Sequence, residues 1–195
     1  MRRQVTTKRK LYGWDIDRDR RFACFDEAPF DDDGNDLLLF NGVKLEESVV
    51  INLEKPKKGE LADFLYSPSL LMYVSTRVLE VIRQGTVPNI GVHRVVLRDK
   101  KGAVVDDESY VWINVKRVVP LMDTERSVFK QSMPGGGIDR IDKLVIREEN
   151  IPDDDLFLFK EVSLPVFSEV LVSEIEAKGL RGATFEELST LTWPS

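Results

Sequence analysis

The sequence is poor in the residues that form disulfides and zinc sites. Cys24 is its only cysteine and His93 its only histidine among 195 residues. One cysteine excludes a disulfide within the chain, and it also excludes a metal site built from several cysteines. One histidine and one cysteine leave no spare set for a nucleophile with a neighbouring base. We therefore expect no metal site and no cofactor, and we expect His93 to be packed or at the surface.

Long apolar runs are also missing. No run approaches the roughly 20 apolar residues that a membrane-spanning helix needs. The basic start MRRQVTTKRK is not followed by the apolar segment of a secretory signal. With 42% hydrophobic and 32% charged residues, the composition is that of an ordinary folded protein. The sequence predicts a soluble, cytoplasmic protein that has no contact with a membrane.

Acidic residues outnumber basic ones, at 34 against 28, which gives a net charge of −6. One acidic loop is DDDGND at 31–36. A second contains the following carboxylates with no lysine or arginine between them: Glu148, Glu149, Asp153, Asp154 and Asp155. Such loops argue against nucleic-acid binding, which needs clustered Lys and Arg to replace phosphate counterions. They suit a basic protein partner, although an acidic loop also serves simply to keep a surface solvated.

Turn signals and composition divide the chain into four parts. Residues 1–10 are predicted to be a flexible basic arm. Residues 11–60 are predicted to be a β-rich part, which ends in the polar stretch EKPKKGE. Residues 61–188 are predicted to be an α+β domain that forms one compact unit with the β-rich part. Residues 189–195 are left as a short tail.

The β-rich part is predicted to be an N-terminal β-meander. Two short strand-like runs, LYGWDID and RFACFDE, flank a charged turn and indicate a hairpin over 11–27. The runs LLLF and SVVINL follow, and Asn41-Gly42 between them favours a tight turn.

Two later stretches share one pattern, a strand followed by a capped helix. In LPVFSEVLVSEIEAKG, Ser168 can cap the helix start and Gly179 can end the helix in a left-handed conformation. In YVSTRVLEVIRQG, Ser75 and Gly85 take the same places. The pattern predicts two short strand–helix–strand units. Together with the many strand signals, it predicts an α+β fold with a mainly antiparallel sheet.

The DTERS run at 123–127 is the densest polar cluster next to an apolar strand. Asp123 and Arg126 stand three residues apart, which is the spacing of an ion pair on one face of a helical turn. We expect a helix to start here, and a partner-binding role is the alternative interpretation.

Several of these stretches, taken in order, resemble one bacterial family. YVWINVKRVVPLMDTERSVF carries Tyr110 and Asn114 ahead of the DTERS run. IDKLVI follows, and the acidic turn with its proline then precedes the strand LFLF. The predicted helix at 168–179 leads to Phe185. This order and spacing, over residues 64–188, is similar to that of immunity-protein family 11 of bacterial polymorphic toxin systems.

The resemblance implies a protein that protects its producer by binding and neutralising a cognate toxin. It brings no established catalytic residues to this sequence. Acidic loops would attract a basic toxin from a distance, which raises the association rate more than the affinity. We therefore predict occlusion of the toxin without catalysis, through these contact residues: Asp123, Arg126, Glu148, Glu149, Asp153, Asp154 and Asp155.

Two other functions stay open. A small hydrolase or transferase needs only paired Asp and Glu side chains, which the sequence has in number although no pair is marked out. A structural protein would self-associate through edge strands, and a homo-oligomer of this kind would have a large, symmetric apolar interface.

Overall fold

A computed structural model describes these residues: 9–17, 19, 21–25, 28–35, 37, 39, 42–43, 49–67, 71–87, 89–131 and 137–189. In chain order, the helices and strands of this part are β1 (Leu11–Ile16), β2 (Ile51–Glu54), β3 (Met72–Ser75), α1 (Thr76–Gln84), β4 (Ile90–Arg98), β5 (Val104–Val115), β6 (Val118–Val119), β7 (Val128–Gln131), β8 (Ile138–Lys143), a 3-10 helix (Glu148–Asn150), β9 (Leu156–Phe159), β10 (Leu164–Ser168), α2 (Glu169–Ala177) and β11 (Ala183–Glu187).

Within the described residues, the strands form three sheets. The first has the strand order β11-β1-β10-β9-β6, the second has the order β2-β4-β5-β3, and β7 pairs with β8. Most neighbouring strands are antiparallel, while β2 with β4 and β6 with β9 are parallel. The predicted α+β fold with mainly antiparallel pairing is therefore confirmed.

The second sheet separates two apolar cores, because successive residues of a strand point to opposite faces. In β3, Met72 and Val74 belong to the larger core, whereas Tyr73 belongs to the smaller one. The larger core also contains the apolar faces of both helices and of the first sheet. The smaller core is covered by apolar side chains that precede β2 in the sequence, among them Ala23 and Phe25.

The two predicted strand–helix–strand units are present, and they share one arrangement. In the first unit, β3, α1 and β4 follow one another, and β5 lies between the two strands. In the second unit, β10, α2 and β11 follow one another, and β1 lies between the two strands. The central strand of the first unit, β5, therefore follows that unit in the sequence. The central strand of the second unit, β1, precedes that unit and lies near the N-terminus.

Both helices begin as predicted, at a serine that caps free backbone N–H groups. Ser75 Oγ accepts from Val78 N at 3.4 Å, and Ser168 Oγ accepts from Leu171 N at 3.2 Å. Gly179 follows α2 with φ of 63°, which is the left-handed conformation expected of it. Each helix buries the apolar side chains of one face in the larger core.

The hairpin predicted over residues 11–27 is wrong. β1 pairs instead with β10 and β11, near the other end of the sequence, and this pairing buries Leu11 and Trp14 in the larger core. Phe22 forms an isolated bridge to Glu60. Because β2 lies in the second sheet, the strands described near the N-terminus do not form the predicted β-meander.

The helix predicted to start in the DTERS run is also wrong. Residues 123–127 form a turn that leads into β7. The Asp123 carboxylate accepts hydrogen bonds from Glu125 N and Arg126 N, both at 3.1 Å. An aspartate that binds nearby backbone N–H groups in this way favours a turn over a continuing helix.

Some predictions fall outside the described residues. These are most of the arm (residues 1–8), the tail after Ser189, and residues 38, 40 and 41 of the predicted strand and tight turn.

Candidate functional site

The acidic turn, residues 148–155, begins as a single 3-10 turn and ends where β9 starts. Its first half is attached by hydrogen bonds to the segment after β6. Arg147 N donates to Leu121 O at 2.8 Å, and Asn150 Nδ2 donates to Pro120 O at 2.6 Å. These bonds fix the start of the turn at the level of the backbone.

Asp155 fixes the other end of the turn because its side chain points inward. Its carboxylate accepts hydrogen bonds from Ser168 Oγ at 2.6 Å, Thr86 N at 2.8 Å and Arg9 Nη2 at 2.7 Å. Arg9 also donates to Pro152 O at 2.5 Å. Burial raises the pKa of the Asp155 carboxyl, but the hydrogen bonds and the charge of Arg9 outweigh burial and hold the pKa below its ordinary value. Asp155 is therefore a structural carboxylate.

The other carboxylates of the turn differ in exposure. Asp154 has a side chain only 15% exposed, and it forms an ion pair with Arg117 Nε at 3.4 Å. Glu148, Glu149 and Asp153 are exposed. Glu149 and Asp153 form no ion pair with the described part of the chain. The turn therefore presents these two carboxylates to solvent.

The turn at Asp123 lies beside the segment that leads into the acidic turn. Asp123 N donates to Val145 O at 2.8 Å, and Met122 forms an isolated bridge with Ile146. Arg126 Nη1 lies 3.8 Å from Asp123 Oδ2, so the predicted ion pair is present, although in a turn. The Arg126 side chain is 72% exposed. The structure thus brings the two predicted contact regions onto neighbouring segments.

A cleft of about 330 Å³ adjoins the acidic turn. Its walls come from three distant parts of the sequence, at 9–11, 144–151 and 187–189. Aliphatic side chains of all three parts form the floor, and the charged residues Arg9, Lys10, Glu148 and Glu187 also line it. Sequence reasoning missed this cleft, because no local pattern indicates that these three parts meet.

A second, lysine-rich groove of about 290 Å³ lies at the far end of β4. It is lined by Lys55, Lys57, Lys100 and Lys101, and Lys100 Nζ lies 3.3 Å from Glu54 Oε1. The sequence shows both lysine clusters. Their proximity depends on the parallel pairing of β2 with β4, which no local pattern predicts.

Two residues that carry the family resemblance have structural roles. Tyr110 is buried and its hydroxyl donates to Ala62 O at 3.0 Å. Asn114 is fully buried, accepts from Gly42 N at 3.0 Å and donates to Val43 O at 2.6 Å. Tyr110 therefore attaches the segment between β2 and β3 to β5, and Asn114 attaches the segment before β2 to β5.

His93 is packed in the smaller core. The sequence predicts that this histidine is either packed or at the surface, and the structure shows the first. It is 4% exposed, and its ring centroid lies 4.9 Å from that of Trp112. Nδ1 accepts a hydrogen bond from Val49 N at 3.2 Å. Burial lowers the pKa of His93, and the positive charge of Lys116 lowers it further.

The described residues contain neither a candidate metal site nor a candidate membrane span. No group of three or more His, Cys, Asp or Glu side chains is placed there to hold a metal ion. No helix in this part of the chain is long and apolar enough to span a bilayer.

Comparison with known proteins extends the resemblance to almost the whole chain. No curated protein shows a significant sequence match. A family model described as "Immunity protein family (Imm11)" matches residues 3–190. The match includes the N-terminal region before residue 64, for which the sequence motifs gave no resemblance. The chain belongs to the Imm11 family of immunity proteins.

Proposed function

We propose that this protein binds a cognate bacterial toxin in the cytoplasm and neutralises it by covering its active face, without chemistry of its own. The observation that carries the proposal is the match of the immunity-family model over residues 3–190. A protein that acts by occlusion needs a fixed surface of suitable shape and charge. The acidic turn offers one, because hydrogen bonds hold it at both ends.

We assign the seven predicted contact residues to two groups. Those with exposed side chains are proposed to touch the toxin: Arg126, Glu148, Glu149 and Asp153. Those with largely buried side chains are proposed to hold the two turns in shape: Asp123, Asp154 and Asp155. The exposed carboxylates of the acidic turn would attract a basic toxin from a distance and would mainly raise its association rate.

Co-expression with the product of the neighbouring gene, as the candidate toxin, tests the function. We expect the two proteins to co-purify and the cells to survive a toxin that kills them when it is expressed alone. A toxin that neither binds the protein nor is neutralised by it would refute the proposed function.

Charge-neutralising variants test the contact surface. The double variant Glu149→Gln and Asp153→Asn should slow association by about two- to tenfold at low salt, and the difference should shrink as salt screens the charges. The control is Glu80→Gln with Glu176→Gln, which removes the same charge from exposed positions on the two helices. Equal slowing by both pairs would show that only net charge matters and would remove the acidic turn from the contact surface.

A further inference from the structure

The cleft beside the acidic turn has a floor that is formed before any partner arrives. Leu11 and Leu188 are 3% and 1% exposed and belong to the larger core, and Leu188 N donates to Leu11 O at 2.9 Å. Leu144, Ile146 and Ile151 are half-buried and pack against the same core. A preformed apolar floor needs little ordering on binding, so more of the burial energy is available for affinity.

The basic side chains at this cleft are already neutralised within the chain. Arg9 is held by the Asp155 carboxylate and by Pro152 O. Lys10 Nζ lies 3.7 Å from Glu169 Oε1. The carboxylates of the neighbouring turn, Glu149 and Asp153, remain exposed to solvent. The acidic turn, which lines the cleft through Glu148 and Ile151, thus adds exposed negative charge beside the cleft, and this charge complements a cation.

Arg9 connects the cleft to the acidic turn. The residue lines the cleft, and its guanidinium binds the carboxyl end of the acidic turn. Arg9 lies at the C-terminal end of the predicted flexible arm, residues 1–10. A side chain bound in the cleft would therefore lie next to a turn whose position is already fixed.

We infer that the cleft receives one large apolar side chain of the toxin, carried beside a lysine or arginine that meets Glu149 or Asp153. This inference rests on the proposed function and names the anchoring contact within it. A volume of about 330 Å³ is at the lower end of ligand-sized pockets, which suits one aromatic or long aliphatic side chain. Buried aromatic or aliphatic anchors flanked by polar contacts commonly dominate the affinity of protein interfaces.

Blocking the cleft from its rim tests the inference. Ser189 is exposed and lines the cleft, so Ser189→Trp fills the cleft without altering the core. We expect this variant to weaken toxin binding at least about tenfold, as the loss of an anchor residue does. Ser173→Trp, the same change on the exposed face of α2, should bind like the wild type. Wild-type affinity for Ser189→Trp would overturn the inference, whereas failure of the unaltered protein to bind would overturn the proposed function instead.

Methyl NMR of the unaltered protein gives a second test that does not depend on a folded variant. Toxin binding should shift the methyl signals of Leu144, Ile146 and Ile151 and leave those of Val104, at the tip of the β4–β5 hairpin, unchanged. Unshifted cleft signals in the complex would overturn the inference. Two results without toxin would also overturn the inference. A shift of these signals with protein concentration would indicate that a second copy of the chain occupies the cleft. A shift on Trp193→Ala would indicate that the chain's own C-terminal segment occupies it.

Discussion

Asp63 and Asp155 have the same role in the two strand–helix–strand units. Asp63 accepts a hydrogen bond from Ser75 Oγ at 2.8 Å, and Asp155 accepts one from Ser168 Oγ at 2.6 Å. The backbone carbonyl of each aspartate accepts from the N–H of the same serine, at 2.7 Å and 2.9 Å. Each aspartate thus binds the residue that caps the helix of its own unit.

Each carboxylate also binds the segment that follows the helix of the other unit. Asp63 Oδ2 accepts from Arg181 N at 3.0 Å, just after α2. Asp155 Oδ2 accepts from Thr86 N at 2.8 Å, just after α1. The start of each helix is therefore joined to the end of the other by one aspartate, and the two units relate to each other as near-equivalent halves.

Replacing either aspartate should destabilise the protein. Asp155→Asn and Asp63→Asn remove the charge from hydrogen bonds that are largely shielded from water, so each should lower the free energy of unfolding by about 1–3 kcal/mol. Urea denaturation measures the change. Asp153→Asn is the matched control, because Asp153 is exposed, and it should change the stability by less than about 0.5 kcal/mol. Equal stability of Asp155→Asn and Asp153→Asn would contradict the structural role.

The sequence predicts the two units because their signals are local. Ser75 and Ser168 cap helices at the expected positions, and the apolar spacing that follows each serine matches one helix face. The sequence does not predict the strand that lies at the centre of each unit. β1 has apolar residues that fit a hairpin with its neighbour, but its partners, β10 and β11, lie more than a hundred residues away.

The predicted contact residues also show that local sequence patterns do not predict tertiary contacts. A run of three aspartates gives no information on the direction of each side chain, so Asp153, Asp154 and Asp155 were predicted as one group. The structure separates them, because β9 starts after Asp155 and the capping serine of α2 lies opposite it. The cleft is less predictable still, since its walls meet through contacts between distant parts of the sequence, such as the bonds from Leu188 N to Leu11 O and from Arg9 to Pro152 O.

His93 should make stability fall in mildly acidic solution. Its ordinary pKa is 6.5, and burial together with Lys116 lowers the pKa in the folded chain. The unfolded chain therefore takes up a proton near pH 6.5, whereas the folded chain does so only at lower pH. Stability should drop as the pH falls below about 6.5, by at most about 1.4 kcal/mol per pH unit for this one proton.

Two measurements check the role of His93. Because the chain has one histidine, a single imidazole NMR signal reports its pKa, which should lie below 6.5. Urea denaturation between pH 7.5 and 5.5 should show the loss of stability in the wild type, and His93→Gln should remove that part of the pH dependence. An NMR pKa at or above 6.5 would contradict the buried, neutral histidine.

Two buried tyrosines should respond differently to the same substitution. The Tyr110 hydroxyl donates to Ala62 O at 3.0 Å, whereas the Tyr73 hydroxyl has no hydrogen-bond partner in the described part of the chain. Tyr110→Phe should lower the free energy of unfolding by about 1 kcal/mol, because it removes a bond and leaves a buried carbonyl with one partner fewer. Tyr73→Phe removes only an unpaired polar group, so it should leave stability unchanged or raise it. Denaturant midpoints compare the pair directly, and a larger loss for Tyr73→Phe would show that its hydroxyl has a partner.

Gly182 should tolerate no side chain, because it lies where the segment after α2 passes closest to Phe64. A Cβ at Gly182 would lie 2.3 Å from Phe64 O and 2.6 Å from Ala62 Cβ, and the residue has φ of 100°. Gly182→Ala must therefore displace this segment and with it Arg181 N, which binds Asp63. The combined clash and backbone strain should cost about 2–4 kcal/mol of stability. Gly137→Ala is the control, since nothing lies within 4 Å of its added Cβ, and it should be nearly neutral. Similar thermal midpoints for the two alanine variants would mean that the segment after α2 is free to move away from Asp63.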